Sequence, residues 1–375
     1  MNVLHLNSGT ETGGGMYHIL SLLNQLKNWS NVTLGVFTEG ELAVRARNLG
    51  ISVQVFHQRT RLDFSVVKRV SHFIDSHHID ILHTHGPRAN FIASLLKKER
   101  NYEWFVTVHS NPNHDFLHQG IKGKFFTYLN VRAIKAADHI VAISERFQED
   151  LINKGIDAQK IHVILNGINF DIEPEYMYRR EDFGLSSDHF VVLMIARLEP
   201  VKSHETAFLA IKELQKHYRN LVLLLAGDGS RRNELENFVR DEGLEENVMF
   251  LGQRDDVNEL LPLCDITVLT SKSESFPLVL LESARAKKPV ITTDVGGVRK
   301  LIPNEQYGYI IAVGDYQNLA DKIRKMILLK NNGKLEQMGE RLYHHARKHF
   351  SEKIFGKSVL KIYQTVFEKQ KTNSG

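Results

Sequence analysis

Along this chain, short runs rich in β-branched and other apolar residues alternate with stretches whose apolar positions recur at helical spacing. The first kind reads as strands and the second as amphipathic helices. In the first half the strand candidates are Val3–Asn7, Val32–Phe37, Ser52–Phe56, Ile81–His85, Trp104–Val108 and His139–Ile143. Helical stretches between them include Met16–Leu26, Phe64–His77 and Lys124–Ala136. After Asn166 a second series begins: Phe190–Ile195, Leu221–Ala226, Val248–Leu251, Ile266–Leu269, Val290–Thr293 and Gly308–Ile311. Its helices include Glu205–Tyr218, Arg231–Asp241 and Pro277–Ala286. Such alternation predicts parallel sheets covered by helices on both faces.

A chain of 375 residues is longer than one hydrophobic core usually serves, so the two series predict two domains. The break falls at Gly167–Pro174, where glycine, asparagine and proline interrupt the periodicity, giving domains 1–168 and 169–350. Glu173–Ser187 reads as a linker or short helical entry, and the polar tail Lys369–Gly375 as frayed. The expected fold is α/β, with two doubly wound, Rossmann-like domains facing across a cleft. Strand carboxyl ends and helix N-termini would then meet one ligand.

Composition narrows the class: 42% hydrophobic and 25% charged residues are those of an ordinary globular protein. No segment approaches the roughly 20 apolar residues of a membrane span, and the start, MNVLHLNSGTE, lacks the basic and apolar regions of a secretory signal. The single cysteine, Cys264, excludes an internal disulfide framework and fits a reducing cytoplasm. Its apolar surroundings predict a buried thiol rather than a nucleophile. A net charge of +4 suits a diphosphate or an anionic lipid and is too small to argue for nucleic acid. The 19 histidines are scattered without a repeated metal-ligand spacing, so most read as surface or ordinary polar residues, and no metal site is expected.

Four local features can carry chemistry. Gly13, Gly14 and Gly15 follow the first strand and precede a helix. A backbone can approach a ligand there, although a plain structural turn accounts for them equally well. Arg197 and Lys202 follow the first strand of the second series, where two cations can hold a diphosphate and stabilise its departure. Gly227 and Gly229 close the next strand, as ligand contacts or as a strand-to-helix turn. Finally, Glu274 precedes Pro277, a helix-starting proline, and Glu282 lies in that helix within an apolar stretch where an acid needs a polar partner.

Taken together these motifs resemble the two-domain GT-B glycosyltransferases, specifically the retaining group 1 family, family 4. The ordered set runs through Asn166-Gly167, Arg197 with Lys202, Gly227-Asp-Gly229, the Glu274 and Glu282 pair and Gly296-Gly297. The resemblance implies that Glu274 holds hydroxyls of a donor sugar and Glu282 the nucleotide ribose, with Asn166 and Gly227 also in the donor region. Arg197 and Lys202 would grip the diphosphate. Backbone around Phe276, Pro277, Leu278 and Val279 would face sugar and phosphates. In the first domain, Gly13 to Gly15 would approach the diphosphate, and His109 would lie beside the donor sugar near the reacting centre; as plain chemistry it is a polar residue at a strand end. His83 and His85 also match, with strand packing accounting better for His83, and Ser144 would be structural or acceptor-facing. A C-terminal helix over 351–367 would cross back onto the first domain, with Ile354, Phe355, Val359, Ile362, Tyr363 and Phe367 docking.

The resemblance further implies a nucleoside diphosphate sugar as co-substrate, UDP with glucose or N-acetylglucosamine by frequency, a hydroxyl acceptor, and no cofactor or metal. The chain lacks an Asp-any-Asp triplet, and Asp255-Asp256 reads as a loop. It departs from the family pattern at Ser203 and Ser275, where glycine is usual, and at Arg299-Lys300, where an acid commonly follows Gly296-Gly297. The segment 111–132 mixes lysines and arginine with Phe125, Phe126 and Tyr128. It suits contact with anionic lipid at the inner face of the cell membrane, or a helix covering the sheet with a basic outer face. Two other readings, a non-catalytic nucleotide-sugar-binding subunit and a nucleotide-sugar epimerase, fit less well with Arg197, Lys202 and Glu274 all present. A dinucleotide oxidoreductase lacks its glycine fingerprint.

Overall fold

The apolar runs form parallel strands. In the computed structural model, which describes all residues except 12, 61–62, 97–101, 110–119, 174–176 and 374–375, together with the side chains of 120–122 and 369–373, the chain divides into two units. The first comprises Met1–Asn169 with Glu352–Gly375, and the second Phe170–Ser351.

The first unit runs β1 (Asn2–Asn7), α1 (Gly13–Leu26), β2 (Asn31–Val36), α2 (Glu41–Asn48), β3 (Ser52–Val55), α3 (Ser65–Ser76), β4 (Ile81–His85), α4 (Pro87–Leu95), β5 (Glu103–Val108), α5 (Gly120–Ala136), β6 (His139–Ala142), α6 (Glu145–Asn153) and β7 (Ile161–Val163). Its seven strands lie in the order β3-β2-β1-β4-β5-β6-β7. Alternate residues serve opposite faces: Leu4, Leu82 and Trp104 enter one buried cluster, and Val3, Ile81 and Phe105 the other.

The second unit runs β8 (Phe190–Ile195), α7 (His204–Leu214), β9 (Leu221–Ala226), α8 (Arg232–Asp241), β10 (Val248–Gly252), α9 (Val257–Leu260), β11 (Ile266–Leu269), α10 (Leu278–Arg285), β12 (Val290–Thr293), α11 (Val298–Leu301), β13 (Gly308–Ile311), α12 (Tyr316–Asn331) and α13 (Leu335–Phe350). Its six-stranded order is β10-β9-β8-β11-β12-β13. The chain ends in α14 (Glu352–Asn373), which belongs to the first unit. There Phe355, Val359, Tyr363 and Val366 are buried with residues of α1. Gly356 allows the close approach, since a Cβ there would stand 2.5 Å from Gln25 Cβ.

Several elements differ from the sequence expectation. Helix α1 starts at Gly13, so the three glycines form its first turn rather than a loop before it. Strand β7, with only three residues, gives no readable pattern. Helix α14 continues to Asn373 where a frayed tail was expected, and Ile354 is exposed rather than docked. The entry segment holds a short 3-10 turn, Arg180–Phe183, and the basic, aromatic segment 111–132 lies partly outside the described residues.

Candidate functional site

In each sheet the chain reverses its direction of strand addition once, between β1 and β4 in the first unit and between β8 and β11 in the second. The loops leaving those two neighbouring strands diverge, and open α/β sheets bind ligands at such points. In the second unit the loop after β8 carries Arg197 and Lys202, and the loop after β11 carries Glu274. Strand topology therefore brings together residues far apart in sequence.

Lys202 Nζ lies 2.5 Å from Glu274 Oε1, with both side chains mostly buried. Ser271 Oγ donates to the same oxygen at 2.6 Å. Backbone contacts hold the two loops in register: Thr270 Oγ1 donates at 3.0 Å to the carbonyls of both Lys202 and Ser203, and Lys272 N donates to Val201 O at 2.7 Å. Ser203 adopts φ 51° and ψ 52°, the left-handed conformation that glycine reaches without cost. The loop thus keeps a glycine-type backbone despite the serine. The Arg197 side chain is exposed and forms no ion pair or hydrogen bond among the described residues.

Helix α10 opens at Pro277 with no side-chain cap, which leaves the amides of its first turn, those of Leu278 and Val279, as donors. The Phe276 ring is buried, 5.3 Å from the Phe350 ring, so at this residue only the backbone can face a ligand. On the second turn, Glu282 is half-buried and its carboxylate has no hydrogen-bond partner among the described residues. Burial raises its carboxyl above the usual range, opposed by the nearby Arg285.

The glycines of this unit have a packing reason. A Cβ on Gly227, at φ 148°, would stand 2.0 Å from Ala196 O, and one on Gly229 would stand 2.6 Å from Leu198 O. One on Gly296 would stand 2.0 Å from Ser275 O. They let neighbouring loops touch, so Gly227 and Gly296 shape the loops that carry Arg197 and Glu274. Asp256 is engaged by Arg254 and by the Tyr178 hydroxyl, the latter at 2.7 Å. Cys264 is buried and its thiol is pushed up to about 12 by burial, which makes it inert.

In the first unit the expectation for histidine fails. Far from being scattered, His5, His18, His83, His85 and His109 converge. His5 pairs in register with His83 across β1 and β4, and His85 stands two residues further along the same face. His5 Nδ1 is 2.9 Å from His85 Nε2, and His85 Nδ1 is 3.0 Å from His109 Nε2. His83 Nε2 meets Thr107 Oγ1 at 2.6 Å and its Nδ1 meets the Tyr363 hydroxyl, which lies 3.5 Å from His5 Nε2. His18, on α1, sets its ring edge-on to His109 with centroids 4.4 Å apart. Burial holds all five neutral at physiological pH, lowering His5 to about 3 and His18 to about 4, with His83, His85 and His109 also well below the ordinary value.

Asn166 belongs to the first unit, is buried, and accepts the His18 Nδ1 hydrogen at 2.6 Å. Ser144 caps α6, accepting from Phe147 N at 3.2 Å, which gives it a structural role. Gly13 is open, whereas a Cβ on Gly15 would stand 2.4 Å from Glu11 Oε1, so part of the glycine run accommodates that acid. Helix α5 leaves Phe125, Phe126 and Tyr128 exposed.

Comparison with known proteins places this architecture. Residues 12–172 match the model "Glycosyltransferase Family 4", and residues 179–345 match "Glycosyl transferases group 1". N-acetyl-alpha-D-glucosaminyl L-malate synthase of Bacillus anthracis is 27% identical over 313 residues, covering 81% of this chain and 78% of its own length. Among solved structures, Anabaena HepE in complex with UDP-glucose superposes with a TM-score of 0.82 at 22% identity, over 97% of this chain and 100% of that one. Sucrose-phosphate synthase from Thermosynechococcus elongatus superposes with a TM-score of 0.76 at 17% identity, over 98% and 100%. Two Rossmann-like, parallel-sheet domains of this kind are the GT-B fold of glycosyltransferases. The chain belongs to the group 1, family 4 glycosyltransferases.

Proposed function

We propose that this enzyme is a retaining, metal-independent glycosyltransferase. It moves a hexose from a nucleoside diphosphate, UDP-glucose or UDP-N-acetylglucosamine, to a hydroxyl acceptor in the synthesis of a cell-envelope component, a polysaccharide or a small glycoside. The carrying observation is the Glu274 carboxylate held by both Lys202 and Ser271, beside the uncapped start of α10. A cation, a hydroxyl-binding acid and free helix amides in one place suit a sugar diphosphate. HepE was solved with UDP-glucose, and the Bacillus anthracis relative is named for transfer of N-acetylglucosamine to malate, which favours a UDP donor.

In the reaction, the bond from the anomeric carbon to the diphosphate oxygen breaks and its electron pair leaves with the nucleotide. The acceptor oxygen bonds to that carbon from the same face and passes its proton to a departing diphosphate oxygen. Arg197 and Lys202 balance the charge that develops there, the amides of Leu278 and Val279 add their dipoles, and Glu274 orients the sugar. Glu282, unpartnered among the described residues, accepts from the ribose. His109 stands beside the sugar.

Thermal-shift and hydrolysis assays across UDP, ADP and GDP sugars, with and without EDTA, test this. A UDP-sugar should stabilise the protein and be slowly hydrolysed, unaffected by EDTA. Loss of turnover in EDTA would overturn metal independence, and a product of inverted anomeric configuration by NMR would overturn retention.

We place the enzyme in the cytoplasm, with the exposed Phe125, Phe126 and Tyr128 face of α5 meeting anionic lipid at the inner membrane face. Among the described residues no helix is long and apolar enough to cross a membrane. The variant Phe125→Asp/Phe126→Asp should lose co-sedimentation with anionic vesicles by about tenfold while keeping its Tm. Equal binding by both proteins would assign that face to covering the sheet alone.

A further inference from the structure

The converging histidines form a hydrogen-bonded chain that runs from Thr107 through His83, Tyr363, His5 and His85 to His109. Every member before His109 is buried, and His109 is half-buried. A neutral imidazole has one N–H and one bare nitrogen, so each ring that donates on one side accepts on the other. Tyr363 could accept from both of its rings only by leaving its own buried hydrogen unpaired, so the whole chain has two polarities to weigh.

Counting hydrogens separates them. If the chain ran from His109 inward, His83 would donate to Thr107 Oγ1, and the threonine hydrogen would be left without an acceptor in a buried site. The only hydrogen bond of the Thr107 hydroxyl among the described residues is the one to His83 Nε2 at 2.6 Å. An unpaired buried donor is costly, whereas a spare oxygen lone pair is tolerated. In the other polarity Thr107 donates to His83, His83 Nδ1–H to Tyr363, Tyr363 O–H to His5, His5 Nδ1–H to His85, and His85 Nδ1–H to His109 Nε2. Every buried hydrogen then has an acceptor. The one N–H left over is at His109 Nδ1, on the residue that reaches toward solvent.

We infer that Thr107 and Tyr363 are positioning residues that fix His109 as the Nδ1–H tautomer, so that it meets its ligand as a neutral hydrogen-bond donor to an oxygen and not as a base. The ring facing the chain from α1, His18, reinforces neutrality: its own Nδ1–H is spent on Asn166, and its buried Nε2 has no partner among the described residues. The donor role at the sugar rests on the proposed function; the tautomer does not.

The test is nitrogen NMR of full-length protein labelled with 15N-histidine, the His109 signals assigned by their loss in His109→Gln. At neutral pH the wild type should show His109 with Nδ1 protonated and Nε2 bare. Tyr363→Phe, which cuts the chain at its middle, should shift both signals toward a mixture of tautomers, while Thr107→Ser keeps the wild-type pattern. An Nε2–H tautomer or a cationic ring in the wild type overturns the inference, as does a Tyr363→Phe spectrum unchanged at His109. If a sugar oxygen is the acceptor, UDP-glucose shifts the Nδ1 signal and UDP alone does not; if a phosphate oxygen is the acceptor, both do. No shift with a UDP-sugar that binds in the thermal assay would remove the role at the sugar and leave the tautomer standing.

Discussion

Lowering the pH from 7.5 to 5.5 is expected to destabilise the first unit by about 5 kcal/mol, well before its carboxylates titrate. The cause is the histidine cluster. His5, His18, His83 and His85 are buried and neutral in the folded protein, and burial is the largest influence on each, lowering His5 to about 3 and His18 to about 4 from an ordinary 6.5. Once unfolded, the same side chains take up protons near pH 6.5. Below that value the unfolded state binds more protons than the folded one, so stability falls as pH falls. It is fully present only above about pH 7. Each buried ring contributes roughly 1.4 kcal/mol across that two-unit window, and four rings together approach a large share of a typical domain's 5–15 kcal/mol. Differential scanning calorimetry should show Tm of the first unit falling by roughly 10–20 °C between these pH values, with about three to four protons taken up on unfolding at pH 5.5. A flat Tm across the window would show that these rings are already solvated or charged in the folded state.

The same cluster marks where the sequence stops being readable. Strands β8, β9, β11, β12 and β13 coincide with their apolar runs, because a strand buried on both faces reads as an uninterrupted apolar segment between turns. The contact between Lys202 and Glu274 follows from such local signals once the strand order places β8 beside β11. The histidines gave no local signal, since His5 meets His83 only through the parallel register of β1 and β4, and Tyr363 arrives from the last helix of the chain. A clue was nonetheless present. His5, His83, His85 and His109 each lie on or just past a predicted strand, and in a parallel sheet such positions gather toward one end. Glycine misleads in a different way. The run at Gly13 reads as a loop on propensity but starts a helix, while Gly227 and Gly229, read as ligand contacts or a turn, are required by carbonyls that no local pattern reveals. The place of Asn166 in an ordered motif likewise says nothing of the His18 ring that meets it from α1.

Replacing Lys202 by alanine is expected to lower kcat by about 10²- to 10³-fold, the usual loss when one preorganised group facing developing charge is removed. Lys202 reaches Glu274 at 2.5 Å, so the protein itself fixes where the side chain sits. Its charge matters most when the leaving nucleotide gains charge, so KM should move less than kcat. The deficit should shrink with donors whose leaving group is intrinsically better, because less charge then needs support. Glu274→Ala should behave differently: its hydroxyl contacts are made to the bound sugar in the ground state as well, so KM for the donor rises together with the loss in kcat. Since the two side chains share one contact, with Ser271 on the same carboxylate oxygen, the double variant should lose less than the product of the single losses. Folding is checked by Tm, because truncating either partner leaves the other charge mostly buried. Near wild-type turnover in well-folded Lys202→Ala would move the diphosphate away from this contact, and with it the assignment of the donor site.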